Sequence, residues 1–235
     1  MYYTLFTYLF SFAFLLTSSV SKLDSNPIKV PTERTPCENQ ISFLYNSLHT
    51  KKFSIPNLKS FTEAIKGFYT LKSKGMIAKN ILTLIDYSLP SNEKRLWVID
   101  MATNTILINS LVAHGINSGG VLASNFSNKN QSNQSSLGFY LTGEVYGGKN
   151  GFSLKLDGLE KGVNSNARAR AIVMHGADYA NENILNSQNY LGRSQGCPAL
   201  PEAINKKVID IIKGKSCLFI YHPSRVSIYA KQLLS

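Results

Sequence analysis

"RAIVMHGADYANENILNSQNYLGRSQGCPALPEAINKKVIDIIKGKSCLFIYH", residues 170–222, holds a strand, a cysteine-bearing loop, a helix and a second strand in that order. Its first seven residues are a β-type run ending at His175 and Gly176. An asparagine-rich polar spacer leads to "SQGC", which sets Cys197 behind Gly196 and ahead of Pro198, where extended backbone breaks and a helix is about to begin. "PEAINKKVIDIIKGK" spaces Ile204, Val208 and Ile211 along one helical face and stops at Gly214. "SCLFIYH" then reads as a last, apolar strand.

Upstream, from about residue 81, the texture is the same: "ILTLIDYS", "RLWVIDM", "TILINSLVAHG", "SSLGFYLTGEVY" and "FSLKLDG" are strand-like, and "DMATNT" is a hairpin turn. Before them lie two amphipathic helical segments. One carries Ile41, Leu44, Tyr45 and Leu48, the other Leu58, Phe61, Ile65 and Phe68. The prediction is a mainly β protein with helices (α+β), most simply a sandwich or partly open barrel with an N-terminal helical extension. Lys51, Lys52, Lys59, Lys66, Lys72, Lys74 and Lys79 gather in this extension and read as a solvated face or as a wall-contacting surface.

A chain of 235 residues, 43% hydrophobic and 17% charged, fits one packed domain plus an appendage and excludes a disordered polymer. Formal charge +11 favours anionic partners, including an anionic cell-envelope surface. No nucleic-acid motif accompanies it, so nucleic acid is not expected. An apolar run over residues 5–16 followed by small polar residues reads as a secretory signal peptide over 1–21, with a retained anchor as the competing reading. The expected order is then linker 22–36, helical extension 37–80, a mainly β domain over 81–223 and tail 224–235, exported to the periplasm or cell envelope. Three cysteines leave at least one unpaired; a Cys37–Cys217 bridge and a buried, inert Cys217 are both open.

A thiol of ordinary pKa about 8.5 is mostly protonated at neutral pH, and an imidazole that reaches it changes that. If His175 meets Cys197, it takes the thiol proton and returns it to a leaving amine, while the amides of Gly196 and Cys197 face the tetrahedral oxygen. A side chain at 196 would crowd the substrate carbonyl. His114, in "AHGINSGG", either lines the same cleft or is a turn histidine. Ser194 and Asn117 either bond substrate or shape loops. Asp178 and Tyr179 stand close enough in sequence to orient His175 or close the pocket, and Gly138, Gly143 and Gly151 read as strand and turn glycines. Rivals are an inert wall-binding module, a plain cysteine hydrolase, and a zinc site from His114, His175, Cys197 and His222, whose ligands lack close paired spacing.

The stretch resembles the signature of the murein L,D-transpeptidases, a histidine-glycine followed after a spacer by Ser-x-Gly-Cys: here His175, Gly176, Ser194, Gln195, Gly196 and Cys197. "VAHGINSGG", "SSLGFYLTGEVYGGKNGFSLKLDGLEKGVN", "ARARAIVMHGADY", "GRSQGCPALP" and "SCLFIY" extend the similarity in order over about 96–221. The resemblance implies a metal-free, cofactor-free thiol enzyme, sensitive to carbapenem-type β-lactams, whose partners are peptidoglycan stem peptides. It would cleave the bond between the L-centre of diaminopimelate and the terminal D-alanine of a tetrapeptide. The acyl group on Cys197 would pass to an amine, giving a 3-3 cross-link, or to water, as in an L,D-carboxypeptidase. Two positions depart from the better-known branch: Gln195 stands where a second histidine would, and Ala199 where an arginine would. His175 is then the only base, and the residue for the substrate carboxylate is sought first at Arg193, then at Arg168 and Arg170. The long spacer reads as a lid or as a surface loop.

Overall fold

The structure is a computed structural model that describes residues 36–50 and 52–225. The expected leader, nearly all of the linker and most of the tail lie outside the described residues. Among those described, no helix is long and apolar enough to cross a membrane.

The described elements are α1 (Glu38–Asn46), α2 (Leu58–Ser73), β1 (Ile81–Asp86), β2 (Leu96–Asp100), β3 (Thr105–Ser110), β4 (Gly138–Gly148), β5 (Gly151–Gly158), β6 (Val173–Ala177), β7 (Ala199–Pro201), α3 (Glu202–Ile212) and β8 (Cys217–Tyr221). The strands form one sheet in the order β3-β2-β1-β8-β4-β5-β6-β7. β1 runs parallel to β8 and β6 parallel to β7; the other pairings are antiparallel. "DMATNT" makes the β2–β3 hairpin: Asp100 Oδ1 accepts from Ala102 N–H at 2.9 Å, and Asn104 takes the left-handed φ of +52°.

β8 is buried at every position and β1 at all but its first, as strands covered on both faces must be. Alternation sorts their side chains. Leu82, Leu84, Trp97, Ile99, Phe139 and Phe219 meet Phe61, Ile65, Phe68 and Leu71 of α2. Ile85, Val98, Tyr140, Leu218 and Ile220 go to the opposite face, with Val208, Ile209 and Ile212 of α3. The four α2 side chains are fully buried, each contributing about 1.5–3 kcal/mol of transfer free energy. That helix is therefore a layer of the core; Asn57 starts it by accepting Lys59 N–H at 2.8 Å.

The two sheet edges approach each other. Just past β3, Ala113 N–H donates to Ala199 O at 2.8 Å and Ala199 N–H returns a bond of 3.3 Å, so β7 touches the far end of the same sheet. The architecture is thus a nearly closed barrel, the partly open barrel of the two expected alternatives. Cys37 is exposed at the start of α1 and Cys217 buried on β8, and all three cysteines are free thiols.

Candidate active site

The parallel pairing of β6 and β7 sets His175 opposite Ala199, which places Cys197, two residues before it, beside the start of β6. There Val173 N–H donates to Cys197 Sγ at 3.4 Å, and the thiol donates to Ala171 O at 3.7 Å. Cys197 keeps 9% of its surface and His175 4%, and both open into one cleft of about 530 Å³. The sulfur is not hydrogen-bonded to the imidazole in this resting arrangement: its two bonds are to backbone. Burial pushes the Cys197 thiol up, against the Val173 amide and the Arg170 charge, which pull it down. Burial also pushes the His175 imidazole below its ordinary value, against its bond to Gly176. Both shifts favour a neutral thiol beside a neutral ring.

The tautomer of that ring follows from its partner. His175 Nδ1 lies 2.9 Å from Gly176 O, so Nδ1 carries the proton and Nε2 the lone pair a base needs.

Ser194 ties the cysteine turn: its Oγ–H donates to Cys197 O at 2.6 Å and its Oγ accepts Gly196 N–H at 3.0 Å. The Gly196 amide is thereby committed to Ser194, while the Cys197 N–H has no partner among the described residues. Of the two amides expected at the tetrahedral oxygen, the free one is that of Cys197. Glycine is required at 196 by its φ of +118° and by the backbone, because a Cβ there would sit 2.8 Å from Gln134 O.

Tyr179, Arg193 and Gln195 line the cleft with Cys197 and His175. Burial raises the Tyr179 phenol to about 12. Arg193 donates to Gly119 O at 3.3 Å and lies over the Tyr190 ring. Four sequence candidates sit elsewhere. His114 is fully buried, with Arg95 Nη2 2.8 Å from its Nδ1 and Gly119 O 3.2 Å from its Nε2, and both burial and Arg95 hold its pKa at about 4. Asn117 bonds Ser132 O at 2.9 Å and shapes a loop. Arg168 is exposed and paired with Glu144 and Asp157. His222 packs at a tilt against Phe126 and bonds Ser224 Oγ at 2.7 Å, sharing no partner with His114, His175 or Cys197. No three His, Cys, Asp or Glu side chains converge as a metal site among the described residues.

The two ends of the spacer are packed into the wall, and residues 181–190 between them are not buried. Ala180 and Leu191 are buried against Leu111, Ala113 and Ala199, and Leu191 N–H donates to Ser91 Oγ at 3.2 Å. Missed by the sequence reading are Tyr146, Lys149 and Asn150 of the β4–β5 hairpin and the 130–133 segment, which complete the cleft. The only local signal for the latter is the loop-forming run "FSNKNQSNQSS". Lys149, Arg170 and Arg193 line the cleft, and among the described residues no carboxylate does.

A family model described as the L,D-transpeptidase catalytic domain matches residues 53–221. The chain belongs to that family. Its match starts ahead of α2 and ends with β8, so it takes in the whole sheet and the helix packed on it. Similar solved structures include an L,D-transpeptidase from Mycobacterium smegmatis (11% identity, 61% of this chain and 59% of that one, TM-score 0.38). Others are residues 123–326 of the enzyme from Xylanimonas cellulosilytica (10%, 61% and 61%, 0.37) and the L,D-transpeptidase of Stackebrandtia nassauensis (10%, 82% and 97%, 0.38). The chain therefore spans about three fifths of the length of the first two. No curated protein matches it.

Proposed function

We propose that this chain is an exported, cysteine-dependent peptidoglycan L,D-transpeptidase that acts on stem tetrapeptides in the periplasm or cell envelope. The observation that carries the reading is that Cys197 and a His175 whose Nε2 is unprotonated open into one cleft, lined by cations and by no acid among the described residues. An anionic peptide tail suits such a cleft, and Arg193 is the arginine with donors left for its carboxylate.

In the first half-reaction the sulfur leaves the Ala171 carbonyl and gives its proton to His175 Nε2. The thiolate attacks the carbonyl carbon at the L-centre of diaminopimelate, and the Cys197 N–H donates to the oxyanion. The C–N bond to D-alanine breaks as the imidazolium protonates the departing amine, leaving a thioester. In the second half, an amine of a neighbouring stem, or water, loses its proton to Nε2 and attacks the thioester; the C–S bond breaks and the departing thiolate takes that proton back from the imidazolium, restoring the thiol. Amine attack yields a 3-3 cross-link; water attack yields a tripeptide.

Incubation of the chain with disaccharide-tetrapeptide, followed by mass spectrometry, tests this. Cross-linked dimer with D-alanine release supports transfer. Tripeptide alone supports an L,D-carboxypeptidase. Unchanged tetrapeptide, together with failure of a carbapenem to acylate Cys197, leaves a non-catalytic wall-binding module.

A further inference from the structure

Arg168 and Arg170 stand two residues apart and face different surroundings. Arg168 is neutralised by Glu144 and Asp157 on the exposed surface. Arg170 has no carboxylate partner among the described residues and points into the cleft, where its guanidinium is committed to one segment of chain. Nη1 donates to Ser127 O at 2.7 Å and to Ser136 Oγ at 2.6 Å; Nη2 donates to Gln134 O at 2.7 Å and to Ser132 Oγ at 3.1 Å. With four bonds made to protein, it is poorly placed to hold a substrate carboxylate as well.

The segment it holds needs holding. Gln131 and Asn133 adopt left-handed φ values of +57° and +55°, which non-glycine residues take up reluctantly. That same segment backs the nucleophile's turn: Ser135 Oγ–H donates to Gly196 O at 3.1 Å, and Gln134 O sits 2.8 Å from where a Cβ on Gly196 would be. Arg170 Nη2 is 3.4 Å from that same point. Next along the chain, Ala171, itself left-handed at φ +55°, supplies the carbonyl that accepts the Cys197 thiol.

We propose that Arg170 is the positioning residue of the nucleophile, clamping segment 127–136 behind the Gly196–Cys197 turn and lending an unneutralised positive charge to the sulfur when it ionises. Arginine suits both tasks, because its planar fork serves four acceptors at once and its charge persists at every working pH. A neighbouring cation favours the thiolate, and Gln195 beside the turn carries no charge to supply one.

The inference rests on Cys197 being the nucleophile of the proposed reaction, and its test needs no peptide, so the two fail separately. In the full-length chain carrying Cys37→Ser, Cys197 is the accessible thiol, because Cys217 is fully buried. Besides Arg170, the titratable and charged groups coupled to the sulfur or lining its cleft are His175, Tyr87, Tyr146, Tyr179, Arg193 and Lys149. Burial holds the Tyr87 and Tyr179 phenols near 12 and the imidazole below its usual range, and alkylation reads the thiol itself. Iodoacetamide alkylation is followed against pH by mass spectrometry. Arg170→Gln is expected to move the midpoint up by about one pH unit and to slow alkylation at pH 7.5 about tenfold. Arg170→Lys is expected to keep the midpoint, because the charge remains, and to lower the plateau rate about threefold, because the fork is lost. An Arg170→Gln profile that superimposes on the parent overturns the proposal. Should that variant not fold, Arg170→Lys decides: an unaltered midpoint with a slower plateau supports the clamp, and an unaltered midpoint and plateau overturn it.

Discussion

His114 and His175 each precede a glycine, and the two pairs flank the same turn from opposite sides: Ala199 bonds to Ala113 on one edge and pairs with His175 on the other. Their surroundings reverse the chemistry of the ring. Around His114, Arg95 can only donate, so Nδ1 must accept and Nε2–H must donate to Gly119 O. Both nitrogens are occupied, the ring is sealed from solvent, and no lone pair is left for a substrate. Around His175 the single partner is the carbonyl of Gly176, which fixes the proton on Nδ1 and leaves Nε2 open. A dipeptide thus acquires a structural or a chemical role from one neighbour, a guanidinium in the first case and a carbonyl in the second.

The widest separation between the pairs is expected in turnover. His175→Gln should lower D-alanine release from tetrapeptide by about 10²–10⁴-fold without moving the melting temperature, the usual range for removing a general base. His114→Gln, whose amide still accepts from Arg95 and donates to Gly119, should keep release within about threefold. Equal losses in the two variants would erase the distinction.

Acid stability comes next. The His114 ring takes up a proton near pH 6.5 when the chain is unfolded but only at about 4 when folded, because burial and Arg95 oppose the charge. The unfolded state therefore binds more protons in that window, and stability should fall as pH drops from 6.5 to 4, by roughly 3 kcal/mol in all. Urea unfolding at pH 7 and pH 4.5 measures this. The decline should flatten in His114→Gln, and a decline of unchanged size in that variant would assign the effect to other groups.

The two glycines give a smaller contrast. A Cβ on Gly115 would meet Asn133 O at 2.5 Å and Gly196 Cα at 2.9 Å, both backbone; one on Gly176 would meet Asn205 Cβ at 3.0 Å, a milder overlap. Gly115→Ala should cost about 1–3 kcal/mol of stability and disturb the cysteine turn, and Gly176→Ala about 1 kcal/mol or less. Chemical denaturation of both variants checks the order. The finest distinction needs no mutation: ¹⁵N-resolved imidazole spectra should show His114 protonated at Nε2 and His175 at Nδ1, and matching tautomers would contradict the geometry.

Sequence reading succeeded where the physics is local. Runs rich in apolar and β-branched residues marked β1, β2 and β8, helical spacing marked α2 and α3, and "SQGC" marked the turn of Cys197. β7, three residues long, carried too little pattern to be seen. Arg170 was named only among the substitutes for Arg193, because a side chain flanking a strand reads as solvated until the acceptors around it are known. His114 and His175 were separable by no local rule, since both stand in the same dipeptide.

From the chain of residues alone came a mainly β domain with its helices in order, a cysteine set behind a glycine, and a resemblance strong enough to name the family. Which histidine faces the sulfur's cleft, which arginine is neutralised and which is not, and which amide of the cysteine turn stays free were settled only by tertiary structure. The reason is that periodicity and turn chemistry act between near neighbours, whereas tautomer, charge compensation and hydrogen-bond commitment depend on partners such as Arg95, Glu144 and Gln134 that lie tens of residues away.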